Sequence, residues 1–433
     1  MIELLIIALV VFGYALVSER LAMSPVSAPI VFTTVGLIVG TGGFGWFDLE
    51  LEGEATSILV EATLVLVLFT DAIRIDLRSL RHHATLPGRM LGIGLPLTIA
   101  AGTALAVVVF PGLSVIEAAL LAAVLAPTDA ALGQAVVSDR RLPVRIRQTL
   151  NVESGLNDGI AVPVVTVLLA AAAVESAGGA SDWMELAARQ IGFGVAAGVA
   201  AGVIGGRLLD HRAAAGHVEG VYRQLATIAI AVGAFALAGV LDGNGFIAAF
   251  VAGLAFGGIA RQQCTGIQDF TEDEGELLSA ITFVLFGAVL AGPVLDDLTW
   301  QIALYVVLSL TVVRIVPVVL SLTASGTFFE TRVFLGWFGP RGLASTLFAL
   351  IVVEELDSDA GRTIFTVAAW TVLVSVFAHG LTASAWAGRL ARRLNAETDP
   401  MPEMEPVPEL PTRSGPMPVT DADPNQPQGP RTS

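Results

Sequence analysis

Three observations predict an all-α membrane protein. Hydrophobic residues make up 54% of the 433 positions and charged residues only 14%, against about one quarter charged in soluble domains. Glycine occurs 45 times, a frequency suited to closely packed helices in lipid. Thirteen apolar stretches, each long enough or nearly so to cross a bilayer as a helix, follow one another along the chain.

In chain order the stretches are 2–18, 26–44, 56–73, 90–110, 115–136, 149–173, 187–209, 222–241, 244–260, 275–292, 299–322, 333–353 and 363–388. Glu3 stands where a signal peptide would carry positive charge, so the first stretch reads as a retained helix. The third ends in Thr70-Asp71-Ala-Ile-Arg74-Ile-Asp76 and also carries Glu61, either an ion-pair partner or a group near the outer mouth; Asp76 reads as a loop partner for Arg74 or Arg78. The fifth is interrupted by Pro127-Thr128-Asp129 and the twelfth by Gly339-Pro340-Arg341-Gly342, since proline removes a donor and clashes with the preceding turn. The sixth holds Glu153-Ser-Gly-Leu-Asn157-Asp158. The seventh presents Gly192, Gly194, Gly198 and Gly202 for close packing. Only Asp242-Gly-Asn-Gly separates the eighth from the ninth, the eleventh carries Arg314 in mid-segment, and the thirteenth carries a solitary His379. Beyond about Ala396 come ten prolines, several acids and no apolar periodicity. The expected division is a membrane domain over 1–392 and a disordered, proline-rich acidic tail over 393–433.

Arginines fall on alternate connections, with Arg74, Arg78, Arg81 and Arg89, then Arg140, Arg141, Arg145 and Arg147, on the same side as Arg389, Arg392 and Arg393. The intervening connections are acidic, so the N-terminus is expected outside and the C-terminus in the cytoplasm. Lysine is absent, which removes Schiff-base chemistry, and the single Cys264 excludes an internal disulfide framework or a cysteine zinc site. The net charge of −16 excludes nucleic acid as a partner.

Carboxylates at membrane depth cost at least about 2.5–3.5 kcal/mol on insertion scales and persist mainly where an ion or proton needs them. Ser154 and Asp158 share one face of the sixth stretch, and with Thr128 and Asp129 they can form a compact oxygen cage for a hard monovalent cation. With no histidine or cysteine nearby, zinc and iron are disfavoured. Glu153 and Asn157 share the adjacent face. Arg314 and Arg341 each need a carboxylate or backbone carbonyls. Glu153 is the natural partner of Arg314, and Arg341 is suited to the helix-end carbonyls of a break. Asp71 is placed to enter the site, through water. Paired interrupted helices in corresponding halves point to an inverted-repeat transporter with a site at mid-membrane.

These motifs resemble the sodium/proton antiporters of the NhaP and eukaryotic sodium/proton exchanger type, over about residues 1–392. The carriers are Pro127-Thr128-Asp129, Glu153-Ser154-x-x-Asn157-Asp158, Asp242-Gly-Asn-Gly-Phe246 with Phe250-Val-Ala-Gly253, Arg314, and Gly339-Pro-Arg341-Gly342. The resemblance implies thirteen transmembrane helices, a six-helix core moving against a dimerisation domain, and a homodimer in the cell's inner membrane. It implies that Asp158 binds the cation or the proton, with Na⁺ held by Asp158, Asp129, Thr128 and Ser154, that Asn157 supports the site, and that Glu153 and Arg314 pair. No cofactor and no enzymatic step are implied. A second aspartate stands at position 157 in electrogenic relatives, so electroneutral Na⁺ or Li⁺ exchange is expected, with K⁺/H⁺ exchange as the alternative. Two departures stand out: Asp71 is shifted by one position, and proline replaces the usual leucine of Gly-Leu-Arg-Gly. A cation channel and an intramembrane aspartyl protease using Asp129 and Asp158 are rival classes. The protease lacks its Tyr-Asp and Gly-x-Gly-Asp motifs.

Overall fold

In the computed structural model, residues 2–22, 26–46, 54–75, 85–176, 183–259, 279–396 and 401–407 are described. Every regular element among them is helical. The helices are α1 (Ile2–Ala22), α2 (Ala28–Val39), α3 (Glu54–Arg74) and α4 (Thr85–Val109), the last with a π turn at Met90–Gly94. Then follow α5 (Val115–Val124), α6 (Ala130–Val137), α7 (Val144–Ser176), α8 (Trp183–Ala214), α9 (Gly220–Val240) and α10 (Gly245–Ile259). The last are α11 (Ser279–Asp297), α12 (Trp300–Ser321), α13 (Phe329–Trp337), α14 (Leu343–Leu356) and α15 (Asp359–Asn395).

Among the described residues a helix falls in each of the thirteen apolar stretches, with the fifth split into α5 and α6 and the twelfth into α13 and α14. Seven of them are long and apolar enough to cross a bilayer: α4, α7, α8, α9, α11, α12 and α15. Large apolar side chains stand exposed along α1 (Leu5, Leu9, Phe12, Leu16), α8 (Ile204, Leu208) and α9 (Val221, Val240). Such a surface fits lipid and is costly in water.

Local chemistry explains the two splits. Ser114 and Glu117 form a reciprocal capping box that starts α5. Pro127 then stops it, and Asp129 opens α6 by accepting hydrogen bonds at Oδ1 from the amides of Ala131 (2.7 Å) and Leu132 (3.4 Å). The second split falls at Phe338–Gly342, around Pro340. α12 also breaks, at Thr311, where no proline or glycine announces it.

Two glycine-lined seams bring backbones together. A β-carbon on Gly198 or Gly202 of α8 would lie 2.5 Å from the carbonyl oxygens of Ala248 or Ala252 on α10. On the other side of α10, β-carbons at Gly253 and Gly257 would lie 2.4 and 2.5 Å from the carbonyls of Phe69 and Ile73 on α3. Gly194 joins this packing, whereas Gly192 faces open space.

The expected boundary at residue 392 falls within the last α-helix. α15 runs through residue 392 to Asn395, because Ala387, Leu390, Ala391 and Leu394 keep burying a face. Residues 401–407 return to the bundle: Met401 and Glu403 are buried, and the Glu403 carboxylate accepts a hydrogen bond from the Phe328 amide at 2.7 Å. Asp76, Arg78, Arg81, Cys264 and the rest of the expected tail, 408–433, lie outside the described residues.

Candidate functional site

The two helix breaks cross. The amide of Asp129 donates to the carbonyl of Pro340 at 2.8 Å. A β-carbon on Gly342 would lie 1.9 Å from Oδ2 of Asp129, so only glycine fits there. Breaking α5 exposes carbonyls that no longer have a helical partner. Arg341 satisfies them: its Nη1 donates to the carbonyls of Ala126 (2.6 Å) and Pro127 (3.1 Å). This is the helix-end role read from the sequence.

The fixed crossing sets α7 beside the break. Ser154 donates from Oγ to the carbonyl of Thr128 at 2.6 Å. The Thr128 hydroxyl donates to Glu153 Oε2 (3.1 Å) and accepts from Asn157 Nδ2 (2.5 Å), which also reaches Glu153 Oε1 at 3.3 Å. Arg314 of α12 completes the group, donating from Nη2 to Glu153 Oε1 at 2.9 Å. Its guanidinium lies over Gly339, where a β-carbon would stand 2.4 Å from Nε. Thr128, Glu153, Ser154, Asn157 and Arg314 thus form one hydrogen-bonded unit joining α7, α12 and the α5–α6 break.

Asp158 lies one turn beyond Ser154 on α7 and is 4% exposed. Asp71 is buried on α3, and Glu61 is half-buried on the same helix. Asp129 is also buried, but one of its oxygens is committed to capping α6 and the other lies against Gly342. The oxygens expected around a cation are therefore unequal: Asp129 and Thr128 already hold the break together. Asn157 Oδ1 is buried and has no hydrogen-bond partner among the described residues.

Three participants were missed in the sequence. His379 lies with Nε2 2.9 Å from the Trp337 carbonyl, which also accepts from the Gly339 amide at 2.8 Å, and with Nδ1 3.0 Å from Ser375 Oγ. Ser375 Oγ in turn accepts from the Arg341 amide at 2.7 Å. Their i, i+4 spacing on α15 was the available signal. Phe250, noted only as part of a motif, sets its ring on Gly159, the residue after Asp158.

Chemically, the arrangement provides two buried carboxylates on α7, Glu153 bonded to the Thr128 hydroxyl, the Asn157 amide and Arg314, and Asp158 one turn beyond Ser154, with Arg341 held by carbonyls.

Comparison with known proteins points the same way. The family model described as "Sodium/hydrogen exchanger, transmembrane" matches residues 6–388. The K(+)/H(+) antiporter NhaP of Alkalimonas amylolytica is 28% identical over 407 residues, covering 92% of this chain and 69% of its own length. The K(+)/H(+) antiporter NhaP2 of Shewanella sp. (strain ANA-3) is 26% identical over 88% of this chain and 66% of its own. The Na(+)/H(+) antiporter ApNhaP of Aphanothece halophytica is 26% identical, over 88% of this chain and 73% of its own. The chain thus spans about two thirds of the length of these relatives, between 66% and 73%. The solved sodium proton antiporter MjNhaP1 from Methanocaldococcus jannaschii superposes with a TM-score of 0.71 at 21% identity, over 92% of this chain and 99% of its own. At that identity the likeness is one of fold.

Proposed function

The chain belongs to the sodium/hydrogen exchanger family, and from that premise we propose that it exchanges a monovalent cation for protons across the cell's inner membrane. It is a multi-pass transporter rather than an enzyme, its substrates are the ions themselves, and it uses no cofactor.

Asp158 carries the reading. A carboxylate buried in a membrane helix is tolerated when something neutralises it, and a proton or an alkali cation does so equally well but not together. Cation binding therefore expels the proton, and protonation expels the cation. Ser154, Thr128 and Asp129 supply further oxygens, with Asn157 Oδ1 a neutral one and Asp71 reaching the site through water. Because Asn157 carries no charge, one cation exchanges for one proton and the cycle is electroneutral.

The Glu153–Arg314 pair and the Arg341 contacts support alternating access by keeping the crossing rigid while it moves. In this proposal the thirteen stretches all cross the bilayer, and the α5–α6 and α13–α14 breaks belong to inverted repeats. A six-helix core containing them moves against a dimerisation domain in a homodimer. The N-terminus is outside and the C-terminus cytoplasmic. The exchanger domain ends with α15 rather than at residue 392.

Na⁺ and Li⁺ are the proposed substrates. Potassium/proton exchange is the second reading, supported by the names of the Alkalimonas and Shewanella relatives. Purified protein in vesicles holding a pH-sensitive dye tests both. Collapse of an imposed pH gradient on adding Na⁺ or Li⁺, without a membrane potential, is the expected result. A response to K⁺ alone moves the assignment to the second reading, and cation current without proton movement replaces exchange with a channel.

A further inference from the structure

The contact between Phe250 and Gly159 lies immediately beside Asp158. The ring carbons Cζ, Cε2 and Cε1 occupy the space where a Gly159 β-carbon would stand, at 2.1, 2.2 and 2.3 Å from it. The ring is buried, and it is the tip of the side chain that rests on the α7 backbone.

The two sides of this seam are held very differently. α10 is fixed to α8 and α3 by backbone against backbone at Gly198, Gly202, Gly253 and Gly257, contacts with no slack. To α7 it is joined through side chains: Phe250 on Gly159, and Asn244 Nδ2 donating to Thr166 Oγ1 at 3.0 Å. Side-chain contacts can re-form in another register, whereas the glycine seams would have to unpack.

A second seat is present. Gly155 precedes Gly159 by one helical turn on the same face of α7, and among the described residues nothing lies within 4 Å of where its β-carbon would stand. We propose that Phe250 is the gate of the exchange pathway, alternating between seats at Gly159 and Gly155 as α7 moves one turn past α10. This rests on the exchange reading above and specifies how Asp158 changes sides. One turn is about 5.4 Å, the size of register step that packed elements take between discrete states. The same step carries Val162 into the place of Thr166, so the Asn244–Thr166 hydrogen bond belongs to the Gly159 seat alone. Phe250 acts through access to Asp158 and is a positioning residue, not an ion ligand.

Gly155→Ala is the decisive variant, because a methyl group fits the present structure and obstructs the other seat. In reconstituted vesicles it is expected to lower the maximal exchange rate by about tenfold or more, with the apparent KM for the cation unchanged and the melting temperature no lower than that of the parent. Adding Phe250→Ala to that variant is expected to restore the rate, since the smaller side chain passes the methyl. A purely structural role would instead lower stability and leave the double variant no faster. Parent-like turnover by Gly155→Ala, or a folded double variant that stays slow, overturns the gate. Absence of exchange by the parent chain overturns the exchange reading as well, so the two failures are told apart.

Discussion

Arg314 and Glu153 meet in the protein interior with Nη2 2.9 Å from Oε1 and both side chains 1% exposed. Removing one partner of such a pair leaves a buried charge uncompensated, at about 3–5 kcal/mol. The two removals are not equivalent. A carboxylate left alone can take up a proton and keep its hydrogen bonds from Thr128 and Asn157, but a guanidinium cannot lose its charge. Glu153→Ala is therefore expected to lower the thermal stability of detergent-purified protein more than Arg314→Leu. Values matching the parent would show that the pair does not hold the helices together, and equal losses in the two variants would remove the asymmetry.

Asp158→Asn removes the titrating charge and keeps the volume. Exchange should vanish for every alkali cation while the folded fraction stays the same, since a neutral amide is no harder to bury at that depth than a carboxylate. Vesicle flux and a melting curve on the same preparation check this. Retained sodium-driven proton flux would move the ion site elsewhere.

Arg341 joins the breaks by donating from one nitrogen to two carbonyls. Arg341→Met would leave both buried acceptors unsatisfied, at about 1–3 kcal/mol each. His379→Leu should cost less, because the Trp337 carbonyl keeps the Gly339 amide at 2.8 Å and Ser375 Oγ keeps the Arg341 amide. The order of stability expected is parent, then His379→Leu, then Arg341→Met. A reversed order in thermal unfolding would mean that α15, not Arg341, holds the crossing.

What the sequence made legible follows from how far each signal reaches. Pro127 and Pro340 mark their own breaks, because proline's effect is local. Glu153 with Arg314, and Arg341 with helix-end carbonyls, were readable because a buried charge must be answered and few groups were available to answer it. The job of Asp129 was less legible. A cap and an ion ligand use the same carboxylate, and only its bonds from the Ala131 and Leu132 amides show that it caps α6. The break at Thr311 carried no local signal, and the seating of Phe250 on Gly159 depends on the register between two helices distant in sequence. For the stretch after α15 the proline-rich, acidic composition argues against packing, and it carries no signal for the one described turn, 401–407, where Met401 and Glu403 are buried.

That turn supports the last prediction. Glu403 is fully buried, its Oε1 held by the Phe328 amide, while Arg145 at the start of α7 bonds to the Pro402 carbonyl and to Glu405. The contacts tie α7 to the α12–α13 connection, which follows the helix that meets α7 through Glu153 and Arg314. The Arg145–Glu405 pair is partly exposed and contributes little on its own, so the buried carboxylate is the anchor. Glu403→Ala should free the turn and leave the Phe328 amide without its partner, at about 1–3 kcal/mol. Glu405→Ala should change stability by less than 1 kcal/mol or so. Limited proteolysis distinguishes them: cleavage near residues 396–407 is expected to accelerate in Glu403→Ala and to stay at the parent rate in Glu405→Ala. Equal acceleration in both would assign the docking to the surface ion pair.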